Sequence, residues 1–152
     1  MKRRSTPQAA GFPQVDHVYR AWDEALGNKD VDAALALYAA DATIESPLVS
    51  HLLGLEKGVC QGRDQLRYFI EIVFQRTPPA RKRYRNAYFS DGRTLMWEYP
   101  HSTPEGEQMD FVEVMEISDA GLIQHHRVYW GWCGVQILQR NAYHASPKSG
   151  KE

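Results

Sequence analysis

The sequence predicts an α+β fold, in which about three N-terminal helices pack against a curved antiparallel sheet. Apolar residues recur at helical spacing in three segments before residue 77. After residue 83 the apolar period becomes alternating, as it is in strands that bury one face. Helices followed by a meander of strands are typical of α+β domains.

Three amphipathic helices are predicted in the N-terminal half. The first covers residues 14–27, and the second covers 31–40 with Asp30 as its N-cap. The third carries apolar residues from 66 to 74 and ends at the proline pair after Thr77, because proline cannot continue a helix. Strands and one long loop fill the rest. We predict a short strand at 43–46, a loop at 48–61, and strands at 84–89, 95–100, 108–117 and 122–133.

The predicted turns determine which side chains oppose each other across the strands. A two-residue Asp-Gly turn places Asn86 opposite Trp97, and a three-residue turn places Trp97 opposite Glu113. A four-residue loop then places Glu113 opposite His126. The inner face is therefore aromatic and apolar, with one carboxylate and one imidazole near its middle.

Each predicted face has its own set of residues. The inner face carries Tyr84, Asn86, Tyr88, Leu95, Trp97, Tyr99, Met109, Phe111, Glu113, Met115, His126, Val128, Trp130 and Trp132. The outer face carries Arg85, Glu98, Asp110, Val112, Glu116, Arg127 and Tyr129.

Composition excludes several classes of function. The chain has 152 residues, which suits one domain at 14–142 between flexible tails at 1–13 and 143–152. The net charge of −1 gives no reason to expect a nucleic acid or an anionic membrane as a partner. The longest uncharged apolar stretch, 128–139, is too short to cross a bilayer. Cys60 and Cys133 have no disulfide-framework or metal-site spacing, which indicates a reducing cytoplasm, and Cys133 is expected to be buried.

Four segments resemble one known superfamily. Residues 25–32 and 37–47 resemble the N-terminal half of ketosteroid isomerases and SnoaL-like polyketide cyclases. Residues 121–123 and 126–130 resemble the last strand of the same superfamily, which also includes nuclear transport factor 2, scytalone dehydratase and limonene epoxide hydrolase. The resemblance covers about 14–133. It implies a cystatin-like or nuclear transport factor 2-like cone, with a pocket between the helices and the sheet.

The functional residues of that superfamily transfer to this chain only in part. The isomerase base, an Asp before a Pro, corresponds to Ser46, and the oxyanion-hole Tyr corresponds to Trp22. The second oxyanion-hole acid corresponds to Glu113, and the Asp that cyclases carry in the last strand corresponds to Val128. The resemblance therefore implies the fold, and it does not imply steroid isomerisation by that mechanism.

Glu113 and His126 are the predicted catalytic pair. A buried carboxylate is costly unless it is paired, and a facing imidazole can hold it and exchange a proton with it. The alternative is a buried polar pair that only determines the strand register. The predicted substrate-binding residues are Trp22, Ser46, His51, Phe69, Tyr84, Asn86, Trp97, Tyr99, Phe111, Val128 and Trp130. No cofactor and no metal are expected, because His125 and His126 would point to opposite faces of a strand.

Two functions of different classes agree with these residues. The first is a cofactor-independent isomerase, dehydratase or cyclase acting on a small hydrophobic carbonyl or hydroxy compound. The second is a non-catalytic module of the same fold that binds a small ligand or dimerises. A homodimer through the outer sheet face is expected, because that face carries an apolar strip of Val112, Val114, Ile123 and Tyr129.

Overall fold

Helices and strands alternate in the first half of the chain, and strands dominate the second half. The computed structural model describes residues 11–76, 87–102 and 108–140, with the side chains of 99–102 and 108–109 excepted. Its elements are α1 (Pro13–Asn28), α2 (Val31–Ala36), β1 (Tyr38–Glu45), α3 (Pro47–Leu53), β2 (Val59–Gln61), α4 (Gly62–Arg76), β3 (Phe89–Ser90), β4 (Thr94–Ser102), β5 (Gln108–Ile117), β6 (Ile123–Trp130) and α5 (Trp132–Gln139). None of these helices is long and apolar enough to cross a membrane.

The first two helices begin and end at local signals. Pro13 occupies the first turn of α1, where its missing N–H removes no hydrogen bond. Lys29 ends α1 in the left-handed conformation, with φ of 56°. The carboxylate of Asp30 accepts the backbone N–H of Ala33 at 2.9 Å, which confirms the predicted N-cap of α2.

The second helix is shorter than predicted. It ends at Ala36, and the chain continues as β1 from Tyr38 instead of remaining helical to residue 40. Tyr38 pairs with Ile123 of β6, whose N–H donates to the carbonyl of Leu37 at 2.8 Å. The alanine-rich segment favours a helix locally, but pairing with a distant strand outweighs that preference.

Residues 48–61 also differ from the prediction, because they form α3 and β2 instead of a loop. The hydroxyl of Ser46 accepts the backbone N–H of Leu48, and Pro47 occupies the first turn of α3. Gly54, with φ of 67°, ends the helix. These are ordinary start and stop signals that the hydrophobic pattern alone did not reveal.

The six strands form one sheet in the order β2-β1-β6-β5-β4-β3. Every neighbouring pair is antiparallel except β1 and β6, which are parallel, so the sheet is mixed where an antiparallel one was predicted. The parallel pair arises because β1 comes from the helical half of the chain and packs beside the last strand of the meander. The α+β class and the cone of helices against a curved sheet are confirmed.

The observed registers keep the predicted faces. Trp97 pairs with Glu113, as predicted. Glu113 pairs with Val128 instead of His126, which is a shift of two residues. The hairpin before β4 is also wider than a two-residue turn, because Phe89 pairs with Met96. A shift of two leaves each side chain on its face, whereas a shift of one would have exchanged the faces.

Burial follows these faces. Trp97, Phe111, Glu113 and His126 are buried, and Glu98 lies exposed on the other side of the sheet, as predicted. Arg127 is half-buried on that outer side, where it forms an ion pair with Glu116 at 2.5 Å.

Ile123 is a correction to the predicted outer strip. Its side chain is fully buried, because the register between β5 and β6 shifts after Glu116 and breaks the alternation there. His125 and His126 nevertheless lie on opposite faces, as their adjacent positions predict.

The last strand is shorter than predicted. It ends at Trp130, and the N–H of Gly131 donates to the carbonyl of Asp110 at 2.9 Å before α5 begins. Trp132 is therefore 69% exposed instead of lying on the inner face, and Cys133 is exposed instead of buried.

Some predictions fall outside the described residues. They concern the tails at 1–10 and 141–152, the strand residues Tyr84 and Asn86, and the turn within 103–107. These stay predictions, as do the domain limits at 14 and 142.

Two methionines provide a matched test of the sheet faces. Met115 is fully buried on the inner face, and Met96 is 41% exposed on the outer face. We expect Met115→Ala to lower the free energy of unfolding by about 2–5 kcal/mol, because it leaves a cavity. In the unassociated chain, measured at high dilution, we expect Met96→Ala to change it by no more than about 0.5 kcal/mol. Urea unfolding measures both, and similar losses in the two variants would contradict the assignment of the faces.

Asp91 provides a pH-dependent test of the turn before β4. Its carboxylate accepts the N–H groups of Thr94 at 2.7 Å and Arg93 at 2.9 Å. These two hydrogen bonds hold the pKa of Asp91 below its ordinary value, and the one from Thr94 has the larger effect. Because the pKa of Asp91 is lower in the folded state, its carboxylate stabilises the fold at pH values above about 3.9, the pKa in the unfolded chain. This stabilisation is lost as the pH falls through the pKa of the folded state.

We therefore expect Asp91→Ala to lower the urea midpoint at neutral pH. The difference from the wild type should shrink as the pH falls below the unfolded pKa of about 3.9 and through the lower folded pKa, because protonation then removes the same bonds in the wild type. A difference that stays constant across this range would show that the carboxylate does not act through its charge.

Candidate functional site

A pocket lies between the helices and the concave face of the sheet. Its volume is about 100 Å³, and its wall is mostly apolar and aromatic. The lining residues are Trp22, Leu26, Ala34, Tyr38, Ile44, Ser46, Leu48, Phe69, Ile70, Val73, Phe74, Phe111, Glu113, His126, Val128 and Trp130. Polar groups on this wall are few, which is typical of small-molecule sites.

Glu113 and His126 meet on the wall of this pocket. Nε2 of His126 lies 2.5 Å from Oε2 of Glu113, and the two side chains are 4% and 5% exposed. The two-residue register shift makes them diagonal neighbours, which are still within reach of long side chains. Within the described part of the chain, no hydrogen-bond partner reaches the second carboxylate oxygen, Oε1.

Tyr38 extends this pair into a chain of hydrogen bonds. Its hydroxyl lies 2.8 Å from Nδ1 of His126, and the indole N–H of Trp22 donates to the same hydroxyl oxygen at 3.3 Å. The chain Trp22–Tyr38–His126–Glu113 thus links α1, β1, β6 and β5. Burial raises the pKa of Tyr38 far above its ordinary value, with the Glu113 charge contributing, so its hydroxyl keeps its proton.

Aromatic packing fixes the orientation of this chain. The ring of Trp22 meets that of His126 edge to face at 5.8 Å, and the ring of Tyr38 lies end-on to the imidazole, with centroids 6.1 Å apart and planes inclined by 29°. The ring of Trp97 in turn packs edge to face against that of Trp22, with their centroids 5.7 Å apart. Such ring pairs restrict rotation as well as bury area.

Ser46 is the other buried polar residue of the wall. Its hydroxyl oxygen accepts the N–H of Leu48 at the start of α3, at 3.1 Å. A hydroxyl can donate and accept at once, so the Ser46 proton is available to a ligand.

Most of the predicted binding residues line the pocket. Trp22, Ser46, Phe69, Phe111, Val128 and Trp130 do so, together with Glu113 and His126. Trp97 is buried behind the wall, and His51 is half-buried on α3, so neither belongs to the lining. Tyr84, Asn86 and the side chain of Tyr99 lie outside the described residues.

Sequence reasoning missed Tyr38. It was expected on the second helix, and a helical Tyr38 could not have been matched to a strand position. The sequence did contain a signal for this strand. Apolar residues lose their helical spacing after Leu35, and the segment 39–44 ends in Thr43-Ile44.

Metal-ligating side chains do not cluster in the described ranges. No group of three His, Cys, Asp or Glu residues comes together there in a way that could hold an ion. Cys60 is close enough to act electrostatically on Tyr38, but burial raises the pKa of its thiol to about 11, so it stays a neutral thiol.

Known structures share this architecture. A steroid delta-isomerase from Pseudomonas aeruginosa is 18% identical, with a TM-score of 0.64, over 93% of this chain and 100% of that one. A cystatin-like protein from Silicibacter pomeroyi is 21% identical, with a TM-score of 0.67, over 88% and 87%. A SnoaL-like protein of unknown function from Burkholderia thailandensis is 15% identical, with a TM-score of 0.64, over 82% and 99%. At these identities the likeness shows the fold alone.

The sequence itself gives the family. No curated protein matches it at a significant level. The family model of the SnoaL-like domain matches residues 19–126, which is more than half of the chain and includes Trp22, Tyr38, Glu113 and His126. The chain therefore belongs to the SnoaL-like family.

Proposed function

We propose that this protein is a cofactor-independent acid/base enzyme that acts on a small hydrophobic carbonyl or hydroxy compound. The observation that carries the proposal is the 2.5 Å contact between Glu113 and His126 on the wall of an apolar pocket. A carboxylate with one oxygen held and the other without a hydrogen-bond partner among the described residues suits a general base. The SnoaL-like family, whose fold also carries isomerases, supports the class of reaction.

The proposed reaction begins when Oε1 of Glu113 takes a proton from the carbon next to the substrate carbonyl. The C–H electron pair moves into the adjacent carbon–carbon bond, and the carbonyl π pair moves to oxygen. The hydroxyl of Ser46 is the proposed donor to that oxygen. Glu113 then returns the proton to another carbon in an isomerisation, or to a leaving hydroxyl in a dehydration.

The pocket volume bounds the substrate. A dry apolar cavity of about 150 Å³ takes up benzene, so a pocket of about 100 Å³ suits one small ring. A four-ring steroid would require the wall to move or most of the ligand to lie outside. The serine at position 46, where the isomerases have their catalytic base, also argues against a steroid substrate.

The second candidate is a non-catalytic ligand-binding or dimerisation module of the same fold. It is favoured by the replaced positions Ser46, Trp22 and Val128, which carry catalytic groups in related enzymes. The position of Glu113 favours the enzyme, because only its Oε2 is held by His126 and the residue lies on the pocket wall, where Oε1 can meet a ligand.

We also propose a homodimer formed through the outer sheet face, in a cytoplasmic setting. Met96 and Tyr129 are exposed there, and Val112 and Val114 lie half-buried between them in the sheet order. An apolar strip of this kind often marks a contact surface. Cys60 and Cys133 are both free thiols, which supports a reducing compartment.

Substitution of the pair tests the catalytic proposal. We expect Glu113→Gln to lower turnover about 100-fold or more, because a general base typically contributes that much. We expect His126→Asn to lower turnover as well, because it removes the imidazole that holds Oε2 of Glu113. Thermal-shift screening of small cyclic ketones and enones identifies a ligand, and NMR then follows its exchange with solvent deuterium.

Glu116→Gln is the matched control, because it removes a carboxylate from the outer face of the same strand. Its exchange rate should equal that of the wild type. Equal exchange in the wild type and both pair variants, or none in any of them despite tight binding, would end the catalytic proposal and favour the binding module.

The dimer has its own measurement. We expect sedimentation at micromolar concentration to give twice the 17.4 kDa chain mass. Val114→Lys should shift the protein toward the monomer, because it places a charge in the middle of the strip. A wild type that sediments only as a monomer would contradict the proposal.

A further inference from the structure

The hydrogen-bond chain from Trp22 to Glu113 determines where its protons lie. An indole N–H can only donate, so the hydroxyl oxygen of Tyr38 must accept from Trp22. The Tyr38 proton must then point to a different acceptor. Among the described residues, Nδ1 of His126 at 2.8 Å is the acceptor within reach.

This assignment extends to Glu113. If Nδ1 accepts, the neutral imidazole carries its proton on Nε2, which then donates to Oε2 of Glu113. Glu113 is therefore an ionised acceptor. An imidazolium would donate from Nδ1 and leave the proton of the 3% exposed Tyr38 without an acceptor in the described part of the chain. A protonated Glu113 would likewise require a proton on Nδ1.

We infer that Trp22 and Tyr38 hold His126 in the Nε2–H tautomer, so that the pocket carries the uncompensated negative charge of Glu113 and selects neutral or cationic ring compounds over anions. The role of Glu113 as the base rests on the proposed function, whereas the tautomer and the ligand charge do not. The resemblance to isomerases implies a protonated, hydrogen-bond-donating acid at this position, whereas the inferred Glu113 is an ionised acceptor.

The charge of the pocket follows from its wall. None of the described lining residues is Lys or Arg, so within this part of the wall no cation offsets the charge of Glu113. The groups that face His126 are Trp22 from α1, Tyr38 from β1 and Glu113 from β5, and Cys60 of β2 acts on Tyr38 as a neutral thiol.

The ligand class follows from that charge. A carboxylate in an apolar site repels a second anion strongly, since little solvent screens the two charges. It attracts an N–H, O–H or acidic C–H donor, which can reach Oε1. Aromatic faces such as those of Phe69, Phe111 and Trp130 also attract a cation. A protonated amine on a small ring therefore fits both the charge and the walls.

Nitrogen NMR tests the tautomer without any substrate. In ¹⁵N-labelled wild type, His126 should show a protonated Nε2 and a bare Nδ1, whose shifts are widely separated. Two similar shifts, as an imidazolium gives, or a protonated Nδ1 would overturn the inference at neutral pH.

Variants separate this role from simple packing. Tyr38→Phe keeps the ring and removes the hydroxyl, so the two tautomers should mix, and Trp22→Phe should loosen the preference in the same direction. Tyr88→Phe is the matched control, because it removes the hydroxyl that donates to Asp16 at 3.3 Å and does not touch His126. A His126 spectrum that is unchanged by Tyr38→Phe would overturn the role of Tyr38, and if that variant does not fold, the wild-type spectrum still decides the tautomer.

Three matched ligands test the charge preference. Cyclopentylamine, cyclopentanol and cyclopentanecarboxylate share one small ring and differ in charge. Shifts of the pocket indole signals should show the amine and the alcohol binding at least about tenfold more tightly than the carboxylate. Glu113→Gln should abolish this difference. A carboxylate that binds as tightly as the amine, or no binding by any of the three, would reject the ligand class.

Discussion

The buried carboxylate of Glu113 is the constraint on which the rest of this structure depends. An ionised carboxyl in an apolar wall destabilises the fold unless another group satisfies it, and removing one partner of such a pair commonly costs about 3–5 kcal/mol. His126 meets that need at 2.5 Å. The histidine must itself be oriented, and its hydrogen bond with Tyr38 does this. Tyr38 is held in turn by the hydrogen bond that Trp22 donates to it.

The mixed sheet makes this chain possible. Tyr38 reaches His126 only because β1 runs parallel to β6 and enters the sheet beside it. A second helix continued to residue 40 would have carried Tyr38 away from that strand. The irregular pairing of β6 with both of its neighbours turns Ile123 inward while His126 also remains inward. Backbone topology, more than any one motif, therefore assembles the polar centre of the pocket.

Of the functional positions that the resemblance marks, only that of Glu113 carries a carboxyl group in this chain. The resemblance implies a carboxylate at the position of Ser46 in isomerases and at that of Val128 in cyclases. Here those positions carry a hydroxyl and an apolar group, and the carboxylate lies on the central strand β5. A centrally placed carboxylate with aromatic walls suits a small ligand held between the helices and the sheet.

The sequence by itself determined the class of the fold, the helix cap at Asp30, the strand at 108–117 and the two faces of the meander. Those features depend on local periodicity and on short turns, which neighbouring residues specify. It also identified Glu113 and His126, since a lone carboxylate and a lone imidazole on an apolar face are conspicuous. An error of two residues in register did no harm, because strand side chains repeat with period two.

Only the tertiary structure decided the parallel pairing of β1 with β6, the end of the second helix at Ala36 and the contact of Tyr38 with His126. These depend on segments far apart in sequence, and local preference for helix at residues 37–40 pointed the other way. The exposure of Trp132 was decided in the same manner, by a chain reversal at Gly131 that bonds to Asp110. Long-range strand pairing outweighs local propensity because each added strand both satisfies a row of backbone hydrogen-bonding groups and buries one of its side-chain faces.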